Sequence, residues 1–217
     1  MANKLLRDIT GSVLVEYTIV FPIFILLILG TIDISYMLSD WALANKATNV
    51  GARFAVVSDP VAPNITSSTN YTSSQLQNIG QLCFDSSGTA TGNCYSTGLV
   101  SCTSTSCAPN TYGFTRANFT AILTAMQRIY CPLVPSAQLA TQCRLKAANV
   151  TISYQTNGIG FVGESPLSMN VTVSITGLTH QFYFIGPIMN LFGGLFSNSA
   201  TIPTFATTLT SEDMVSN

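Results

Sequence analysis

Apolar and polar positions divide the chain near residue 33. Gly11 to Asp33 reads GSVLVEYTIVFPIFILLILGTID, and Glu16 is the one charge in it before Asp33. No charged residue falls between Ile19 and Leu29, and the apolar run carries on to Ile32. Val13 to Ile32 is about 20 residues, and a helix of that length spans about 30 Å, the thickness of a bilayer core. The pattern predicts a membrane span over about residues 13–36. Glu16 lies in its first turns, where a carboxylate is costly without a partner. Pro22, mid-span, removes a backbone donor and is expected to kink the helix.

The pattern beyond the span predicts the rest of the fold. Ile34, Leu38, Trp41, Ala44, Thr48, Gly51 and Ala55 recur at steps of three or four, so the helix is expected to continue to Val57 and stop at Asp59-Pro60. Trp41 fits either the outer membrane–water interface or packing against the head. Residues 59–113 are rich in Ser, Thr, Gly and Cys and offer little apolar material, which predicts a loop region pinned by disulfides. Tyr71, Tyr95 and Tyr112 read there as exposed loop aromatics, with contact to a partner as the alternative. Residues 114–217 predict a head domain. Phe119, Ile122, Leu123, Met126, Ile129 and Tyr130 make one face of a helix that has Thr115 at its N-cap and stops at Pro132. Val150, Ile152 and Tyr154, then Leu167, Met169, Val171, Val173 and Ile175, alternate as half-buried strands. His180 to Phe184 extends this sheet, and Thr201 to Leu209 suits a final strand. Ile185 to Phe196 is apolar but too short to cross a bilayer. The fold class is α+β: a long N-terminal transmembrane and amphipathic helix, then a disulfide-bonded head with an antiparallel sheet packed on helix.

Composition narrows the function. Eight Lys and Arg against nine Asp and Glu leave a net charge of −1, so nothing here tracks a phosphate backbone and nucleic acid is not an expected partner. Cys83, Cys94, Cys102, Cys107, Cys131 and Cys143 all follow the span, and an even count on one side of a membrane points to disulfides in an oxidising compartment. Six cysteines allow many pairings; neighbour pairing would give Cys83–Cys94, Cys102–Cys107 and Cys131–Cys143. Zinc is disfavoured, because no second pair at finger spacing follows Cys102 and Cys107. Lys4 and Arg7 ahead of the span keep the N-terminus cytoplasmic and send the head out. Two other accounts of the span stand beside this one. Ala42-Leu43-Ala44 matches a signal-peptidase pattern, although it lies well past the apolar run. An ordinary signal anchor, with Glu16 snorkelling to the surface, is the other.

Gly11-Ser12-Val13-Leu14-Val15-Glu16-Tyr17 resembles the G-x-x-x-x-E-Y processing site of Flp-type (type IVb) prepilins. Pro22, Gly30, Asp33 and the segment Ala47-Thr48-Asn49-Val50-Gly51-Ala52-Arg53-Phe54-Ala55 extend the likeness, so residues 11–57 resemble the TadE-like minor pseudopilins of the tight-adherence (Tad/Flp) pilus system. Asp33 stands where such proteins more often carry Glu. The resemblance implies a leader over residues 1–11 and cleavage between Gly11 and Ser12 by a prepilin peptidase. It implies a long helix over 12–58, with Glu16 and Tyr17 at the assembly end. An α-amino group made at Ser12 would pair with Glu16 of its own or a neighbouring subunit. Partners would be other pilins and pseudopilins, the Tad inner-membrane assembly platform and the lipid bilayer. The protein would sit in the bacterial inner membrane, single-pass, with a periplasmic head, at the base or tip of a surface pilus. Its role would be in pilus assembly or initiation, and hence in surface adherence and secretion. The alternative is an unprocessed membrane-anchored binding or adhesin module.

No enzyme signature accompanies this. There is no G-x-S-x-G elbow and no phosphate loop, and the single histidine, His180, has no motif around it. A hydrolase using His180 is the least supported reading. No cofactor or metal is expected.

Overall fold

A computed structural model of the chain describes residues 9–85, 87, 89–163, 168–191 and 198–211. Its contacts group into two compact units: Met1–Trp41 with Thr179–Thr201, and Ala42–Leu178 with Ile202–Asn217. Helix α1, Ile9–Val57, has 49 residues and contributes to both. Pro22 lies inside it, and it ends two residues before Asp59-Pro60, where the residue preceding proline disfavours helix.

The larger unit is built on a five-stranded antiparallel sheet. In chain order the strands are β1 Leu99–Cys102, β2 Cys107–Ala108, β3 Val150–Thr156 and β4 Met169–Ile175, with β7 Phe205–Thr210 last. The spatial order is β2-β1-β3-β4-β7. β3 and β4 pair along their whole length, from Val150 opposite Ile175 to Thr156 opposite Met169. Val150, Ile152, Tyr154, Met169, Val171, Val173 and Ile175 are buried, so the period-two pattern marks one covered face. The cover is helical. α3, Arg116–Tyr130, buries Phe119, Ile122, Leu123, Met126 and Tyr130. α1 buries Ala44, Ala47, Thr48, Gly51, Ala52 and Ala55, a face made of small residues. A Cβ on Gly51 would stand 2.7 Å from Cγ and Sδ of Met126 and 3.2 Å from Cγ1 of Val173. Helix, α3 and sheet therefore meet at a point where only a hydrogen fits. The stripe expected on α1 begins at Ala44; Ile34 and Leu38, below it, are exposed.

Two buried polar side chains in this unit bond to backbone far along the chain. Tyr154 is fully buried, and its phenolic oxygen accepts from the Val61 N–H at 3.1 Å. Burial pushes its pKa up to about 12, with the Val61 bond acting in the opposite direction. Gln127 donates through Nε2 to the Leu145 carbonyl at 2.7 Å. Thr115 occupies the N-cap of α3, but its hydroxyl caps nothing; its carbonyl accepts the Phe119 N–H instead.

Residues 59–113 depart from a simple loop. They hold 3-10 turns at Pro63–Thr66, Ser68–Asn70 and Asn110–Tyr112, a short helix α2 (Ser73–Leu76) inside a capping box, and strands β1 and β2. Tyr71 and Tyr95 are buried against each other edge to face at 4.7 Å, and the Tyr95 hydroxyl donates to the Ile65 carbonyl. Aromatic rings thus supply the core that aliphatic residues do not. Disulfides join Cys83 to Cys94, Cys102 to Cys107 and Cys131 to Cys143, with Cα separations of 5.2, 3.9 and 5.7 Å. These are sequence-neighbour pairs. The second closes the β1–β2 hairpin, where the two cysteines are register partners. The third brackets α4, Leu139–Gln142.

The smaller unit contains the first part of α1, the ribbon β5 (Thr179–Gln181) with β6 (Ser199–Thr201), and helix α5 (Ile185–Leu191). His180 to Phe184, expected to extend the main sheet, does not: Thr179–Gln181 pairs with β6, and α5 begins at Ile185. The chain turns between β4 and β5 at Gly177, where φ is +68°, a region that glycine enters without penalty. Of the apolar stretch Ile185 to Phe196, residues 192–196 lie outside the described residues, as does Leu167.

Candidate functional site: an uncovered apolar helix and its buried carboxylate

Among the described residues, the lower part of α1 has no packing partner over several turns. Leu14, Tyr17, Val20, Phe24 and Leu27 are all more than half exposed, and so are residues on the opposite side, such as Ile19 and Ile23. A helix apolar on every side belongs in a hydrocarbon environment or among other such helices. It is long and apolar enough to cross a membrane, with a mean hydropathy of 2.2 over its best window. Its hydroxyls fit that medium. Thr18 Oγ1 donates to the Leu14 carbonyl at 2.7 Å, Thr31 to Ile28 at 2.7 Å, and Ser35 to Thr31 at 2.7 Å. Each of these three hydroxyls is thereby satisfied within the helix, as a bilayer requires.

Glu16 stands exposed in the first described turns, with Tyr17 stacked on Phe21 at 5.4 Å between ring centroids. Gly11 and Ser12 fall within α1, which starts at Ile9; their side chains, and all of residues 1–8, lie outside the described residues. Pro22 leaves the Thr18 carbonyl without its usual helical donor.

Asp33 behaves differently from Glu16. It is wholly buried. Its Oδ1 accepts the Tyr183 N–H at 3.1 Å, and its Oδ2 accepts those of Phe184 at 2.9 Å and Ile185 at 2.7 Å. The carboxylate therefore supplies acceptors to the first turn of α5, whose amides have no intrahelical partner. One turn below, Gly30 leaves room for the Ile185 side chain, whose Cδ1 would be 3.6 Å from a Cβ there. One turn above, Tyr36 meets Tyr183 edge to face at 6.2 Å. A further turn on, His180 Nδ1 lies 2.6 Å from Asp40 Oδ2. Residues 180–185 thus run along α1 and touch it at each turn from Gly30 to Asp40. Sequence reasoning noted Asp33 only as an acidic position of the family pattern. The available signal was an acid at the end of an apolar run, in a chain with a second uncharged apolar stretch downstream.

The Asp40–His180 pair is a structural tie. His180 is 1% exposed, its Nε2 is buried with no hydrogen-bond partner among the described residues, and the Phe182 ring lies against it at 5.4 Å. A general base needs access to a substrate proton, and this imidazole has none. Among the described residues no cluster of three or more His, Cys, Asp or Glu could hold a metal ion. Trp41 has its indole Nε1 buried without a hydrogen-bond partner among the described residues.

Residues 11–53 match the TadE-like protein family. The match takes in Gly11, Glu16, Pro22, Asp33 and the small-residue face up to Arg53, and relates the chain to components of Tad pilus systems. That family is one of pilus components, not of enzymes. The matched segment lies entirely within α1, so the TadE-like signature is the helix itself, and the disulfide-bonded head lies outside it. No curated protein and no solved structure matches the chain.

Proposed function

We propose that the protein is a minor pseudopilin of a Tad/Flp type IVb pilus system, acting in pilus assembly or initiation. The observation that carries this is the TadE-like helix: apolar and uncovered on all sides, with Glu16 five residues after Gly11. In this reading the protein enters the bacterial inner membrane with Lys4 and Arg7 on the cytoplasmic side and its disulfide-bonded head in the periplasm. A prepilin peptidase cuts between Gly11 and Ser12. The new amine then neutralises Glu16 of its own chain or of a neighbour, which removes the cost of a lone carboxylate at the membrane edge. The uncovered helix packs beside those of other pilins and against the assembly platform. The hydrogen bond absent at Pro22 gives that helix a place to bend on entering a filament.

Gly11→Pro tests the sequence of events. It should leave a slower-migrating precursor in the membrane and abolish surface pili. Normal processing and normal piliation in that variant would remove the proposal.

A further inference from the structure

The segment that Asp33 holds has an uncharged, aromatic outer face. From Phe182 to Leu191 there is no charged residue. Tyr183 is 61% exposed and Phe184 39%, and together with Tyr36 they line one shallow hollow. The level of this hollow along α1 follows from the helix. With Glu16 at the cytoplasmic edge, the next residues, Tyr17 to Tyr36, are about 20 in number and span about 30 Å, one hydrocarbon thickness. Tyr36 then emerges at the far interface, where tyrosine is favoured because its ring is apolar and its hydroxyl wet. Asp33 falls one turn deeper. A carboxylate at that depth needs full internal satisfaction. It has it, from the backbone amides of 183, 184 and 185.

We propose that Phe182–Ile188 is a second membrane contact: Asp33 holds it against α1 so that Tyr183 and Phe184 sit in the interface of the head-side leaflet beside Tyr36. The occupant of the aromatic hollow is lipid. The surface is continuous with the membrane-crossing helix, lies at the calculated interface depth and bears no charge that would select a polar partner. The segment serves two ends. It shields the one buried acid of the span from hydrocarbon, and it fixes the roll of α1 at the bilayer surface. This inference rests on α1 being a membrane span.

The test is depth-dependent fluorescence quenching of the full chain in phosphatidylcholine–phosphatidylglycerol vesicles. Trp41 is the only tryptophan, and its indole makes no hydrogen bond among the described residues, so Trp41→Phe gives a dark background. Single tryptophans are then introduced as Phe24→Trp, Tyr183→Trp, Phe184→Trp and Leu133→Trp. Leu133 is 96% exposed and belongs to the larger unit. Phosphatidylcholine brominated at the chain middle should quench position 24. Lipid brominated near the ester end should quench positions 183 and 184 to a comparable degree, with a blue-shifted emission. Position 133 should keep its full signal. Two interfacial positions keep the test valid if one replacement disturbs the unit. Quenching at 24 with none at 183 and 184 would overturn the proposal while leaving the anchor intact. A blue shift there that depends on protein concentration, without lipid quenching, would assign the face to another copy and equally overturn it. No quenching at 24 would remove the anchor itself, and the second contact with it.

Discussion

Gly51 offers the sharpest test of how α1 joins the head. Gly51→Ala should gain about 1 kcal/mol from helix propensity. Against that gain, the new Cβ would stand 2.7 Å from Cγ and Sδ of Met126, so the thioether must move, and Val173 at 3.2 Å must yield slightly. Overpacking of this kind costs about 1–3 kcal/mol, and a flexible Met puts it toward the lower end. The net expectation is a destabilisation of about 0–2 kcal/mol. Gly51→Leu has no such escape, because the sheet backs Met126, and should exceed it clearly. The informative comparison uses Met126→Ala. That change alone should cost about 2–5 kcal/mol for the cavity. In its background Gly51→Ala no longer meets the thioether and should turn stabilising by up to about 1 kcal/mol. The assay is thermal unfolding of the full chain in detergent followed by near-ultraviolet dichroism, which reports the packed tyrosines of the head rather than the micelle-held helix. For a chain of this size, 1 kcal/mol moves Tm by about 2–4 °C. Equal effects of Gly51→Ala in both backgrounds would refute the contact.

Other expectations follow from the same geometry. Asp33→Ala should leave the amides of 183–185 without acceptors and raise their hydrogen exchange by about 10–100-fold, corresponding to about 1.4–3 kcal/mol of local stability; unchanged exchange would mean that the carboxylate does not hold the segment. Tyr154 has its folded pKa raised above the unfolded value, so its contribution is complete below pH 10. Stability should then fall by about 1.4 kcal/mol per pH unit as pH rises from 10 toward 12. Tyr154→Phe should abolish that alkaline slope, and denaturant titrations across the window would show it. Replacing Cys131 and Cys143 by Ser should cost about 3 kcal/mol, from the loop that the bridge closes over a separation of 12 residues; a denaturant midpoint unchanged from the parent would contradict it.

Much of the fold was legible where one periodicity ruled. The uncharged run marked the long apolar helix, and the alternation over Val150–Thr156 and Met169–Ile175 marked two strands of the sheet, because a period of two with one covered face admits little else. The family likeness was legible for the same reason that it is local: every residue carrying it lies on α1. The sequence was less informative where long-range pairing decided the outcome. Leu99–Cys102 is too short to announce a strand, yet it joins the sheet because β3 offers a free edge and a disulfide holds its hairpin. Tyr71 and Tyr95 are ordinary loop aromatics until each becomes the other's cover. The ribbon of β5 and β6 could not be separated from the main sheet without knowing how the chain turns at Gly177. Asp33 was visible as a charge at the end of an apolar run, but its partners are the backbone amides of 183–185, and backbone carries no sequence signature.

The central claim is that α1 is a pilin-type helix made by cleavage, and the N-terminal residue of the protein in the membrane tests it most directly. Mass spectrometry of the first peptide from membrane-extracted protein should give a start at Ser12, with Glu16 then the fifth residue. A start at Met1 would contradict the account and leave a membrane-anchored binding module in its place, and a start at Asn45 would show the apolar run to be a signal peptide.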